Sequence, residues 1–333
     1  MVATSPISLI SVPAEIPAWH VAGAAVQGVS HARLDLPCQD AQGYRLLSGG
    51  VLLVALADGA GSARFSQQGA DCAVEAALAS LAAAFEGASL SDAVGWESRL
   101  RAAFRDAREA VVSLAALSEE EGVTPRDYAS TLTCVAAAAG RLAVGQVGDG
   151  AVVAVDAAGG LFAVTRLQRG EYANETHFIS ETGALDQMQV DVNDIDLHAL
   201  AVMSDGLIRL ALKMPSQEPH APFFQPLFRF AAGITASPDA PQQASAQLAE
   251  FLGSERVNAR TDDDKSLVLA VREGVVLQTL VSQPPLARED SLYTRESWGS
   301  DLPELDTMRT ELIPLDEDAS SSRDDTASDR EGE

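Results

Sequence analysis

The sequence predicts a sheet-rich α+β fold, layered around one core. Short apolar runs of strand character come in consecutive groups, broken by Gly-containing turns of the kind that join antiparallel neighbours. Between those groups lie paired segments whose apolar residues recur at helical spacing. Apolar residues make up 47% of the chain, so a sizeable core can be buried, in one large domain or two small ones. Strand runs alternating with helix pairs are the pattern of sheets covered by helices. No internal repeat is present.

Residues 1–17 are dotted with Pro and Ser and read as a loose lead-in. A strand is expected over 19–28, then an irregular connection over 31–40 that ends in Pro37-Cys38-Gln39-Asp40. Residues 43–48 and 51–57 form a hairpin around Gly49-Gly50, because Gly-Gly supplies the positive φ of a tight turn. Val74, Leu78, Leu81 and Phe85 give a helix over 65–85, stopped by Gly87; Leu100, Phe104, Ala107, Val111 and Leu114 give a second over 92–117. The period then changes. Four strands are expected at 130–139, 142–147, 151–156 and 161–164, followed by a polar loop over 166–174 and strands at 177–180 and 197–204. Leu207 starts a helix that ends before Pro215. A loop over 219–226 leads to helices at 227–232 and 241–252, and a closing hairpin pairs 266–272 with 275–280 across Glu273-Gly274. The domain so defined spans 18–281. From 282 to 333 the composition shifts to Ser, Asp, Glu and Pro, and this acidic tail is expected to be disordered. Trp298, Leu302, Leu305, Leu312, Ile313 and Leu315 are scattered in it as possible docking points for a partner.

A net charge of -25 argues against a nucleic-acid backbone or an anionic membrane as the main partner. Cys38, Cys72 and Cys134 have neither disulfide-framework nor zinc-site spacing and read as reduced thiols. The N-terminus lacks the charged and apolar regions of a secretory signal, and no apolar run approaches the roughly 20 residues of a membrane span. A cytoplasmic protein is expected.

Asp58, Asp205 and Asp263 carry the chemistry. Each sits where an apolar strand meets a turn: Ala57-Asp58-Gly59, Ser204-Asp205-Gly206 and Asp262-Asp263-Asp264-Lys265. Asp-Gly alone is a turn signal. Several such acids at separate strand ends, with Gly148-Asp149-Gly150 as a fourth, instead suit a hard cation, since Mg²⁺ and Mn²⁺ take oxygen ligands.

The ordered set Gln39-Asp40, Asp58-Gly59, Ser130-Thr131-Leu132-Thr133, Val147-Gly148-Asp149, Ser204-Asp205-Gly206-Leu207 and Asp263-Asp264-Lys265-Ser266 resembles the metal-dependent Ser/Thr protein phosphatases (PPM, type 2C). Ser30-His31 followed by Pro37-Cys38-Gln39-Asp40 looks like a bacterial branch. The resemblance implies a four-layer αββα sandwich with two central antiparallel sheets. It implies two Mn²⁺ or Mg²⁺ ions, with Asp58 bridging them, the Gly59 carbonyl on one, Asp205 and Asp263 on the other, and Asp40 holding metal-bound waters. Asp149 with Asp205 would hold a third ion. Hydrolysis of phosphoserine or phosphothreonine by a metal-bridging hydroxide would follow, opposing a bacterial Ser/Thr kinase.

The departures are specific. Asp35 stands where the family usually has a phosphate-clamping Arg, Ala60 where the eukaryotic branch has a His, and Gln39 where Glu is frequent. Arg33 and His31 are the candidates to bind phosphate in their place, and His31 or a metal-bound water to protonate the leaving alkoxide. For Arg33 a plain surface arginine, and for His31 a hydrogen-bonded structural histidine, are the alternatives. Asp35 and Ala60 also support a second expectation, a catalytically weak or inactive phosphatase-like module that binds and regulates a phosphoprotein or kinase.

Overall fold

Residues in a strand point alternately to opposite faces, and in the computed structural model the central strands bury both faces. Residues 18–90, 93–167, 176–235 and 237–286 are described. Contacts divide the chain into units 1–287 and 288–333; the second, with its expected docking residues, lies outside the described residues, as do 1–17. In chain order the elements are β1 (Trp19–Val26), α1 (Val29–Arg33), β2 (Asp40–Leu47), β3 (Val51–Asp58), α2 (Ser66–Phe85) and α3 (Ala93–Ala116). Next come β4 (Leu132–Ala138), β5 (Arg141–Val147), β6 (Ala151–Asp156), β7 (Gly160–Ala163), β8 (Gln189–Asn193) and β9 (Leu197–Met203). Then follow α4 (Ile208–Ala211), β10 (Leu212–Lys213), β11 (Glu218–Pro219), α5 (Ala221–Ala232), α6 (Ala240–Leu252), α7 (Glu255–Asn258), β12 (Lys265–Arg272) and β13 (Val281–Ser282).

Two sheets result, one ordered β2-β3-β4-β5-β8 and the other β1-β12-β9-β6-β7-β13, with a small β10-β11 hairpin apart. Their inner faces meet in a shared core: Leu52, Val54, Leu56, Val135 and Val144 from one sheet pack with Val152, Leu200, Val202 and Val268 from the other. The alternate residues face helices. Leu53, Ala55 and Ala57 pack under α2 and α3, and Ala199, Ala201, Leu267 and Leu269 pack under α5 and α6. The αββα layering is therefore as the sequence suggested.

The differences have local causes. The four strands expected in one run are split between the sheets: β4 and β5 belong to one, β6 and β7 to the other, so Gly148-Asp149-Gly150 is a crossover and not a hairpin turn. Residues 177–180 form a turn, its Ile179 N–H donating to Ser130 O at 2.8 Å, and the edge strand β8, polar and half-buried, takes the place beside β5. Helix α5 begins at Ala221, ahead of the expected loop boundary: Pro222 occupies its first turn, where a missing N–H costs nothing, and Phe224, Leu227, Phe228 and Ala231 bury one stripe. Residues 275–280 do not pair with β12; β13 instead runs parallel to β7. Helix α1, Val29–Arg33, takes in the first residues of the expected irregular connection, 31–33, and Asp35 just beyond has φ of 57°. Asp tolerates that left-handed conformation better than most residues.

Gly69 on α2 lies against the turn before β4, where an added Cβ would stand 2.1 Å from Tyr128 O. Gly69→Ala is expected to lower stability by about 1–3 kcal/mol, read as a lower urea midpoint with an unchanged denaturant slope.

Candidate metal centre

Antiparallel pairing brings the acidic motifs to one end of both sheets. Asp40 opens β2 directly opposite Asp58, which closes β3. In the other sheet β9 ends at Met203, opposite Leu267 near the start of β12, and Ala151 at the start of β6 also pairs with Met203. Asp205 follows β9, Asp263 precedes β12 and Asp149 precedes β6. The crossovers are pinned at this end: Thr131 N–H donates to Asp58 O (2.8 Å), Asp58 N–H donates to Thr131 Oγ1 (2.9 Å), and Gly59 N–H donates to Gln39 O (3.1 Å).

Asp40 is buried; its Oδ2 accepts the Ser204 hydroxyl at 2.8 Å, while Oδ1 has no hydrogen-bond partner. Asp40 lies on β2 and Ser204 follows β9, so the bond between them ties the two sheets across the site, and Ser204 Oγ in turn accepts the N–H of Ser266 on β12 at 2.9 Å. Burial, opposed in part by the Ser204 hydroxyl, pushes the Asp40 carboxyl up to about 7. Burial and then the charges of Asp40 and Asp205 push Asp58 well above the carboxylate range. Asp205 is raised to about 6, by burial first and by the charges of Asp149 and Asp263, with a contact to Asp58 acting the other way. The contact thus acts in opposite directions on the two carboxyls, raising Asp58 and lowering Asp205. Asp149 is raised by burial, against the Thr176 hydroxyl that donates to its Oδ2 at 2.8 Å.

The donors converging here are carboxylates and carbonyls, the set a hard cation prefers, and Asp40 Oδ1 is a buried acceptor with nothing to accept. In kind these residues fit Mn²⁺ or Mg²⁺. As placed, no three His, Cys, Asp or Glu side chains among the described residues form a group that could hold a metal ion. Asp58 and Asp205 are both buried and raised, and Asp263 is exposed.

Arg33 is exposed on the last turn of α1 and makes no ion pair among the described residues. His31 is hydrogen-bonded through Nδ1 to Asp264 Oδ2 at 2.8 Å. Ala60 is buried, its N–H on Ala129 O, and Arg64 pairs with Glu120. Lys265 is wholly buried, its Nζ donating to Asn258 Oδ1 and to Asp263 O, each at 3.1 Å, so it fixes the turn that carries Asp263. Two supports escaped the sequence reading. Gln146 Nε2 donates to Gly148 O (3.0 Å) and Gly150 O (2.5 Å), gripping the carbonyls on either side of Asp149. Gly206 lies on Asp264 O, which would be 2.0 Å from an added Cβ. A glutamine inside a strand gives no sequence signal of such a role; only the sheet crossover creates it.

Residues 27–253 match the protein phosphatase 2C family. The chain is 35% identical over 259 residues to serine/threonine-protein phosphatase 3 of Escherichia coli K12, covering 76% of this chain and 98% of that one. In structure it is similar to a bacterial serine phosphatase (TM-score 0.51, 16% identity, 77% of this chain and 98% of that one). It is also similar to the S. agalactiae serine/threonine phosphatase (TM-score 0.50, 16% identity, 77% of this chain and 100% of that one). The chain belongs to the protein phosphatase 2C family, and its class is that of the serine/threonine protein phosphatases. Among the described residues no helix is long and apolar enough to cross a membrane.

Asp40, Asp58 and Asp205 have folded pKa values above the unfolded value of about 3.9. Between about pH 4 and pH 7 the native state therefore binds more protons than the unfolded one, and stability is lost as pH rises through that window. Metal-stripped protein should melt at a higher temperature at pH 5 than at pH 8. Asp40→Asn should remove part of that loss; equal pH slopes for the two proteins would contradict the assignment.

Proposed function

We propose that this chain is an active, metal-dependent phosphatase that hydrolyses phosphoserine and phosphothreonine in proteins and opposes a Ser/Thr kinase. The observation that carries this reading is the convergence of Asp40, Asp58, Asp149, Asp205 and Asp263, from five separate segments, on one end of the double sheet. A fold that gathers mutually repelling acids gains nothing from them unless a cation offsets their charge.

Asp58, Asp205, Asp263, Asp40 and the Gly59 carbonyl would hold two Mn²⁺ or Mg²⁺ ions, and Asp149 with Asp205 a third. Bound there, such ions lower the pKa of water and offset charge on phosphoryl oxygens. The chain's own residues do the rest. Ser204 orients Asp40 by holding Oδ2, which leaves Oδ1 for the site. Thr131 fixes the backbone on both sides of the Asp58 peptide. Arg33, the exposed cation beside an otherwise acidic end, is the group suited to a phosphate dianion, in the role that Asp35 cannot fill. His31 is a proton source for the leaving oxygen. The acidic tail remains a candidate docking segment for the phosphoprotein partner, and a cytoplasmic location fits such substrates.

Phosphate release from a phosphothreonine peptide should depend on added Mn²⁺ and fall about 100-fold or more in Asp58→Asn and in Asp205→Asn. Mn²⁺ binding should release protons, seen as a binding heat that varies with the ionisation enthalpy of the buffer. A wild type that binds Mn²⁺ but releases no phosphate would identify a phosphatase-like binding module instead.

A further inference from the structure

Asp264 stands one residue beyond Asp263, yet it is engaged quite differently. It is 3% exposed. Its Oδ1 accepts the Gly28 N–H at 2.6 Å, and its Oδ2 accepts the Gln39 N–H at 2.5 Å and meets His31 Nδ1 at 2.8 Å. One buried carboxylate thus fastens the end of β1, the short helix α1 and the residue just before Asp40. A carboxylate only accepts, so His31 Nδ1 carries the hydrogen. That fixes the tautomer and leaves Nε2 as the nitrogen without a partner among the described residues. The ring keeps 13% exposure, so it is held firmly on one side and reached by solvent on the other.

The chain has five histidines. His20 pairs with Val271 and His198 precedes Ala199, both at the opposite end of their sheet from the acids. His220 precedes α5. His177 lies at the acidic end, but its ring faces the half-exposed Glu181 at 3.6 Å. His31 alone is at the acidic end and locked by a buried carboxylate. Two residues beyond Asp58 the side chain is the methyl group of Ala60, which has no ionisable proton to give.

We propose that Asp264 is a positioning residue that holds His31 with Nε2 directed to the leaving oxygen of the phosphoester, to which His31 gives its proton. This rests on the phosphatase reading above. A water oxygen bonds to phosphorus and one of its protons goes to solvent. The ester P–O bond breaks, and the departing serine or threonine oxygen takes the Nε2 proton of the imidazolium. The neutral ring keeps its Nδ1 hydrogen on Asp264 and regains a proton from solvent.

Two substrates separate this role from a structural one. An alkoxide leaving group needs a proton, whereas the phenolate of 4-nitrophenyl phosphate leaves without one. In the Mn²⁺-loaded full chain, His31→Gln and Asp264→Asn should each lower the ratio of kcat on a phosphothreonine peptide to kcat on 4-nitrophenyl phosphate by about 100-fold. The double variant should change that ratio no further than His31→Gln alone, because the two residues act as a unit. If both substrates slow in parallel, or the ratio does not move, the proposal is overturned. His31→Gln carries the test if Asp264→Asn does not fold. Nitrogen-15 spectra of the metal-free protein give a readout independent of activity: His31 should be the Nδ1–H tautomer in wild type and shift toward Nε2–H in Asp264→Asn. A wild-type ring with a bare Nδ1 would overturn the pairing. A wild type inactive on both substrates would sink the phosphatase reading instead, and the tautomer would still report on the dyad.

Discussion

The face-to-face packing of two sheets is the constraint on which everything else depends. Because β3, β4, β9 and β12 bury both faces, their backbones are held between a shared inner core and an outer helical layer. Side chains at their ends have no comparable freedom to move apart. That rigidity is what lets Asp40, Asp58 and Asp205 stay close although the charge of Asp205 raises the energy of ionising Asp40, and the charges of Asp40 and Asp205 that of Asp58. The cost of crowding is met by the cores, far from the charges.

Around this end the polar groups form two distinct shells. Asp40, Asp58, Asp149, Asp205 and Asp263 are the acids proposed to hold a cation. Asp264, Ser204, Gln146, Thr131 and Lys265 hold backbone and side chains in place instead. The adjacent acids Asp263 and Asp264 show how sharply the division runs. The first is exposed among the acids; the second is buried among N–H donors. A one-residue step at the start of a strand reverses the face, and with it the chemistry.

Much of this was legible in the sequence. Period-2 and period-3.6 patterns gave β3, α2, α3 and β9 nearly to the residue, since long buried elements leave strong patterns. Short or polar elements did not. β8 is half-buried along its length and offers only Val190 and Val192 as apolar positions, too short an alternation to stand out, and α5 was masked by Pro222 and Pro226. The pairing of 275–280 with β12 failed because a turn signal at Glu273-Gly274 specifies a bend but not the strand that the chain meets next.

The sequence by itself determined which residues carry charge at strand ends, which strands are buried on both faces, and that the acids Asp40, Asp58, Asp149, Asp205 and Asp263 form an ordered set. Local pattern encodes those properties because burial and turn chemistry act on neighbouring residues. Only the tertiary structure decided that β5 and β6 belong to different sheets, that Gln146 grips the Asp149 crossover, and that Asp264 is bonded to Gly28, Gln39 and His31. The last of these depends on hydrogen bonds between residues more than 200 positions apart, as in Gly28 to Asp264, and all three depend on the register that brings the segments within reach. No local pattern specifies that register; the packing of the whole sandwich does.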